Sequence, residues 1–273
     1  MPAPRDASKT VTIHRLQELK REDTPIVALT AYDYLFAKLV DQAGVDVILV
    51  GDSLGQVVLG LDTTLPVTLA QMIHHARAVR RGVEHALMVV DMPFLSYQVS
   101  RRQALRNAGR VLKETGAEAV KVEGGDEATA AAVADLVRVG IPVMGHVGFT
   151  PQSVHALGGY RVQGKGEQAR RVVEGARRLE EAGCFSVVLE LVPGPVAAEA
   201  TLAVSIPTIG IGAGPGCDGQ VLVLPDMLGL NPDFAPKFLR RFARVGEAVS
   251  EGVRAYAEAV RGRGYPAAEH TFE

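Results

Sequence analysis

The chain has 273 residues, 47% of them hydrophobic and 22% charged, with a formal net charge of −2. That suits one large α/β domain of small-molecule chemistry and leaves no electrostatic footprint for nucleic acid or an anionic membrane. Two cysteines, Cys184 and Cys217, make neither a disulfide framework nor a CxxC motif, and no apolar leader or run of ~20 apolar residues is visible, so a cytoplasmic protein with reduced thiols is expected.

Residues 1–10 are polar and read as a flexible segment. The first strand is Ile26 to Thr30. Phe36, Val40 and Ala43 have helical spacing, stopped at Gly44, and Val45 to Val50 is an apolar strand running into Gly51-Asp52-Ser53. Thr68 with Gln71 forms a capping-box signature before the apolar face Leu69, Met72, Ile73, Ala76 and Val79, closed by Gly82. Leu87 to Val90 is a strand ending at Asp91. Ser100 and Gln103 repeat the box ahead of Leu105, Ala108 and Leu112, with Gly116 as the stop. Ala119 to Val122 is a strand ending at Glu123. Asp126 caps a helix through Val133, Leu136 and Val137 to Gly140. Pro142 to Gly145 is a strand ending at His146. Ala169, Val172, Val173, Ala176 and Leu179 mark a helix stopped at Gly183, and Ser186 to Leu189 is a strand ending at Glu190. A short helix over Val196 to Ala203 leads to strands Thr208 to Gly212 and Gln220 to Leu224. Phe238, Leu239, Phe242, Val245, Val249, Val253, Tyr256 and Val260 predict one long amphipathic helix after them.

Eight apolar runs separated mostly by helices predict a parallel sheet covered on both sides, and eight such units predict its closure into a single-domain (β/α)8 TIM barrel over residues 11–230. Residues 231–273 are then a C-terminal helix packing on the barrel or on a neighbouring subunit. The seven residues Ala213 to Gly219 are too few for a crossover helix, which leaves an irregular eighth unit or an open doubly wound sheet as alternatives. Two long segments, Asp52 to Val67 and His146 to Gly166, leave strand ends and would overhang the mouth of a barrel.

Asp52, Asp91, Glu123, His146 and Glu190 each stand at or within two residues of a different strand end. A lone carboxylate after a strand is usually a cap or a loop-closing acceptor, but five polar groups on five strand ends imply a shared site. Asp52, Asp91 and Glu123 would repel one another unless protonated or bound to a cation. Oxygen-only ligation favours Mg²⁺, which could polarise a 2-oxo acid and stabilise its enolate. Glu190, behind an apolar run, suits a base. Lys121 shares a face with Glu123; it could pair with a substrate carboxylate, form a Schiff base or make a plain salt bridge, and the adjacent acids favour the first. His74, His75 and His85 read as surface histidines. Gly210 to Gly214 resembles a phosphate loop without matching GxGxxG.

Leu49-Val50-Gly51-Asp52-Ser53-Leu54-Gly55, Asp91-Met92-Pro93-Phe94, Lys121-Val122-Glu123-Gly124-Gly125, the stretch from Gly145 to Ser153, Gly158 to Gly164, Leu189 to Pro193, and Gly210 to Gly214 with Asp218-Gly219-Gln220 resemble the ketopantoate hydroxymethyltransferases. The resemblance runs from about Val11 to Leu230. It implies a barrel of the phosphoenolpyruvate mutase and isocitrate lyase group, transferring a hydroxymethyl group from 5,10-methylenetetrahydrofolate to 3-methyl-2-oxobutanoate to give 2-dehydropantoate for pantothenate and coenzyme A synthesis. It implies Mg²⁺ on Asp52 and Asp91 with Glu123 in the same metal site. Ser53, Lys121, Asp52 and Asp91 would hold the oxo acid, His146 would lie beside it, and Glu190 would accept the proton. It also implies a homo-oligomer, typically a decamer. The alternative is a related metal-dependent carbon–carbon lyase or mutase that needs no folate.

Overall fold

The computed structural model describes residues 10–272, so the expected flexible segment lies almost wholly outside the described residues. The chain divides into two compact units, one ending at Val223 and one beginning at Leu224. The first unit runs α1 (Ile13–Arg21), β1 (Ile26–Thr30), α2 (Tyr34–Gln42), β2 (Val47–Val50), α3 (Leu54–Val57), α4 (Leu69–Arg80), β3 (Leu87–Asp91), α5 (Arg101–Thr115), β4 (Ala119–Lys121), α6 (Glu127–Arg138), β5 (Val143–Gly148), α7 (Gln168–Glu181), β6 (Ser186–Glu190), α8 (Gly194–Ala203), β7 (Thr208–Ile211) and β8 (Gly219–Leu222). The strands pair in chain order, all parallel, and β1 pairs β8, so the sheet is a closed eight-stranded barrel. The open-sheet alternative is excluded.

Closure between β7 and β8 needs no helix. Ile209 pairs Gly219, so β8 starts only two residues below the end of β7. That return is about 7 Å at a strand's rise per residue, well within the reach of about 25 Å for the seven connecting residues 212–218. Asp218 locks the corner. Its Oδ2 accepts from Thr208 N at 2.8 Å and Thr208 Oγ1 at 3.0 Å, and pairs with Lys20 Nζ at 3.0 Å. Its carbonyl oxygen accepts from Ile26 N at 2.9 Å. Lys20 Nζ also donates to the carbonyls of Thr201, Val204 and Ile206.

Alternation along each strand decides what fills the barrel. Ile26 and Ala28, Val47 and Leu49, Leu87 and Val89, Ala119, Met144, Val188, Ile209 and Val221 form one buried cluster, joined by Leu16 and Leu19 of α1. The amphipathic α1 therefore seals the end of the barrel where the strands begin. Its N-cap Thr12 accepts from Arg15 N, and Arg15 braces Glu18 and Glu22 on the outer face.

Local expectations fared unevenly. Thr68 and Gln71 make the full reciprocal capping box on α4. Ser100 makes only its half: it accepts from Gln103 N, while Gln103 Oε1 is buried without a partner. The buried stripe of α5 is Ala104, Ala108, Val111 and Thr115, so Leu105 and Leu112 flank the core and do not centre it. In the second unit, α9 spans Leu224–Met227 and α10 spans Val245–Arg261. The expected helix beginning near Phe238 starts seven residues later. Phe242 N donates to Met227 O and Val245 N to Leu228 O, so the backbone there pairs with the chain around α9 and cannot close helical turns. Among the described residues no helix is long and apolar enough to cross a membrane.

Candidate active site

The inward alternation that builds the core also builds the site. Two residues beyond Val89, Ala119, Met144 and Val188 on the same strand faces come Asp91, Lys121, His146 and Glu190. The apolar layer thus gives way to a charged one at the carboxyl ends of four neighbouring strands, β3 to β6. Asp91 and Lys121 are register partners. His146 lies inside β5, which runs on to Gly148, and does not follow the strand as the sequence suggested. Asp52 and Glu123 come from the turns after β2 and β4. All these groups are nearly fully buried except Glu190, whose side chain is 18% open.

Lys121 Nζ stands at the centre. It lies 2.7 Å from Asp91 Oδ1, 3.9 Å from Glu123 Oε1 and 3.4 Å from His146 Nδ1. An ammonium has no lone pair, so His146 Nδ1 must accept from it, and the imidazole proton sits on Nε2. Nε2 is buried without a hydrogen-bond partner and faces Glu190 Oε2 at 3.4 Å. Ser53 Oγ is 2.8 Å from Tyr32 Oη, and Asp52 N donates to Asp91 Oδ2 at 3.0 Å. The carboxylate cluster and Glu190 therefore stand on opposite sides of the Lys121–His146 pair.

Burial and like charge set the proton affinities. Asp52 is pushed up to about 7, first by burial and then by the negative charge of Asp91, against the pull of Lys121 and the bond from Gln152. Glu123 is raised well above the ordinary range by burial and by Asp52. Burial alone would lower Lys121, but Asp91, Glu123 and Asp52 more than offset it and keep the ammonium charged. A Schiff-base lysine needs the reverse. His146 is driven well below its usual value by burial and then by Lys121, so the ring is neutral. Glu190 is raised to about 8 by burial, with Lys121 opposing and Asp91 adding.

Three buried carboxylates, Asp52, Asp91 and Glu123, thus share one ammonium, so Lys121 supplies only part of the positive charge the cluster calls for. Among the described residues no three His, Cys, Asp or Glu side chains already stand in a chelating arrangement. The chemistry of the donor set still suits a hard divalent ion such as Mg²⁺: the free groups are carboxylate oxygens, and Asp91 disfavours the charge of Asp52.

Backbone geometry holds the base. Leu191, directly after Glu190, has φ 47°, a left-handed conformation that a non-glycine residue adopts at a cost of about 1–3 kcal/mol. It is held by Leu191 N to Ile211 O and by Gln163 N to Leu191 O, both 2.9 Å. Across from it, Phe149 N donates to Glu190 O at 2.8 Å. Gly148 has φ 96°, and a Cβ there would collide with that same Glu190 carbonyl oxygen.

Sequence reasoning missed Gln152 and Tyr97. Both are buried among the acids, and both lie in or near the quoted stretches, but neither type advertises chemistry. His75 and His85 are half-buried and structural: His75 Nδ1 lies 2.7 Å from Tyr32 O, and His85 Nδ1 lies 3.0 Å from Asp41 Oδ2. Of these three, His74 is the plain surface histidine. The glycines after β7 serve close packing against α8. A Cβ on Gly214 would lie 3.2 Å from Gly194 Cα.

Two long loops cover this end of the barrel. Gln56 of α3 donates to Tyr160 Oη at 3.0 Å, joining the segment after β2 to the segment after β5. The Tyr160 ring rests on buried Phe149, centroids 5.0 Å apart.

Solved structures share this architecture at low identity. Phosphonopyruvate hydrolase in complex with oxalate and Mg²⁺ superposes with a TM-score of 0.61 over 97% of this chain and 92% of its own, at 14% identity. 2,3-Dimethylmalate lyase, a phosphoenolpyruvate mutase/isocitrate lyase superfamily member, gives 0.58 over 91% and 87%, at 19% identity. These likenesses speak to the fold alone. Sequence relatives are much nearer. The 3-methyl-2-oxobutanoate hydroxymethyltransferase of Pelobacter propionicus is 53% identical over 267 residues, 98% of this chain and 99% of its own. That of Trichodesmium erythraeum is 56% identical over 257 residues, 94% of this chain and 97% of its own. The family profile described as ketopantoate hydroxymethyltransferase matches residues 10–268, and the chain belongs to the ketopantoate hydroxymethyltransferase family.

Proposed function

We propose that the chain transfers a hydroxymethyl group from 5,10-methylenetetrahydrofolate to 3-methyl-2-oxobutanoate, giving 2-dehydropantoate for pantothenate and coenzyme A synthesis. The observation that carries this reading is identity above one half, along nearly the whole chain, to relatives of that activity. The site's layout supports the chemistry. Asp52 and Asp91 would hold Mg²⁺, with Glu123 in the same site; when bound, the ion draws electron density from the oxo acid and acidifies its C3 hydrogen.

The protein's own groups do the rest. Lys121, kept charged by its acidic neighbours, pairs with the substrate carboxylate, and Ser53, steadied by Tyr32, holds the oxo acid beside it. Glu190 takes the C3 proton. Its separation from the carboxylate cluster and its raised proton affinity suit that task near neutral pH. Neutral His146 lies beside the substrate with Nε2–H turned to Glu190, and so steadies the base without competing for the proton. The carbon that loses its proton then bonds to the methylene carbon of the folate as one of that carbon's two C–N bonds breaks. A water oxygen replaces the second nitrogen to give the hydroxymethyl group, and the freed nitrogens take up protons as tetrahydrofolate leaves. Work in the cytoplasm as a homo-oligomer of ten subunits belongs to the same proposal.

The test is direct. Purified protein supplied with Mg²⁺ and both substrates is expected to form 2-dehydropantoate, read by mass spectrometry. Recovery of unchanged 3-methyl-2-oxobutanoate from folded protein would overturn the reading.

A further inference from the structure

Gln152 is 5% exposed and engages both the amide oxygen and the amide nitrogen of its side chain. Its Nε2 donates to Asp52 Oδ2 and to Met92 O, each at 2.9 Å. Its Oε1 accepts from Tyr97 Oη at 3.0 Å and from Gln98 Nε2 at 2.9 Å. Its backbone N donates to Glu123 Oε2 at 2.9 Å. The orientation of the amide is not open to a flip, because both partners of Nε2 are acceptors and Gln98 Nε2 is a donor. The residue is presented by a 3-10 turn, Pro151–Ser153, with a proline at its start.

The pattern of which oxygens are engaged is informative. Gln152 takes one oxygen from each of two carboxylates, Oδ2 of Asp52 and Oε2 of Glu123. The oxygen left on Glu123, Oε1, is the one directed at Lys121 and His146. On Asp52 no hydrogen bond among the described residues falls on Oδ1. A residue one hundred positions away from Asp52 in sequence thus decides which oxygen of each acid is left over. Tyr97 tightens the arrangement: its hydroxyl accepts from Glu123 N at 2.9 Å and lies 2.9 Å from Glu123 O.

We propose that Gln152 is a positioning residue that, by holding Asp52 Oδ2 and Glu123 Oε2, leaves Asp52 Oδ1 free for a bound divalent cation and fixes Glu123 Oε1 on the Lys121 and His146 side of the same site. A glutamate could not substitute, since it would add negative charge and lose both donors to Asp52 and Met92. Outer-sphere partners of this kind typically alter metal affinity 10–100-fold.

The proposal rests on Asp52 holding the cation, so two variants are measured side by side by titrating the protein, without substrates, with Mn²⁺ and following water-proton relaxation. Gln152→Leu keeps the volume and the backbone bond to Glu123. It is expected to weaken Mn²⁺ binding by about 10–100-fold while circular dichroism and melting behaviour stay folded. With saturating metal, KM for the oxo acid should rise more than kcat falls. Asp52→Asn is expected to lose Mn²⁺ binding. If Asp52→Asn binds Mn²⁺ like the wild type, the cation site itself is refuted. If Asp52→Asn loses binding and Gln152→Leu keeps wild-type affinity, the positioning role alone is refuted. Should Gln152→Leu fail to fold, Gln98→Leu removes a donor to Gln152 Oε1 without touching Glu123. A several-fold weaker affinity then supports the role, and unchanged affinity overturns it.

Discussion

At the scale of single residues, the site separates two kinds of acid. Asp52, Asp91 and Glu123 crowd one ammonium, whereas Glu190 faces a neutral imidazole. Asp91 has the most to lose, because its Oδ1 pairs with Lys121 and its Oδ2 orients Asp52 through the Asp52 amide. Asp91→Ala is expected to abolish metal-dependent binding of 3-methyl-2-oxobutanoate; calorimetry that finds the affinity unchanged contradicts the metal assignment. The pH dependence follows from Glu190. Burial raises it from 4.5 to about 8, and the base works only when deprotonated, so proton abstraction should climb with pH and level off above about 8. The same shift acts on folding in the opposite sense. Between 4.5 and about 8 the native state keeps a proton that the unfolded chain has released, so this contribution to stability is present at low pH and is lost as pH rises through about 8. A flat exchange rate between pH 6 and 9 would refute the assignment.

At the scale of elements, most of the fold was legible because parallel barrel strands are apolar on both faces and the helices between them are amphipathic. Errors arose where tertiary pairing overrode the local pattern. His146 belongs inside β5 because the strand stays paired with β6 as far as Gly148, two residues past the end expected from the sequence; Gly148 is a glycine because the Glu190 carbonyl leaves no room for a side chain. The start of α10 was misplaced because Phe238 to Phe242 keep helical spacing while their backbone bonds elsewhere. The acids of the site were legible as a set, since each ends a different strand. Gln152 was not, because what identifies it is a pair of long-range hydrogen bonds that no spacing encodes. Gly148→Ala should cost about 1–3 kcal/mol in urea denaturation through strain at a positive φ and should lower activity more than its stability loss explains, because it displaces the strand end carrying Glu190. A fully stable, fully active variant would show that this close approach does not matter.

For the barrel as a whole, closure and catalysis are organised at opposite ends. α1, Lys20 and Asp218 secure the end where the strands begin, and the charged layer occupies the end where they finish. The short β7–β8 link works because the register asks it to travel so little, and Asp218 is what pins it. Asp218→Ala leaves the buried Thr208 amide without its acceptor and should destabilise the fold by about 1–3 kcal/mol with little change in KM for either substrate. A changed KM with unchanged stability would contradict this division of labour.

The central claim is that acids from separate strand ends form one centre in which a cation activates the oxo acid and Glu190 removes its proton. Hydrogen–deuterium exchange at C3 of 3-methyl-2-oxobutanoate in D₂O, followed by proton NMR without folate, isolates that step. The wild type should exchange only when Mg²⁺ is present, and Glu190→Gln should bind metal and oxo acid normally yet exchange about 10²–10⁴-fold more slowly. Wild-type exchange in Glu190→Gln, or exchange indifferent to Mg²⁺, would contradict the account.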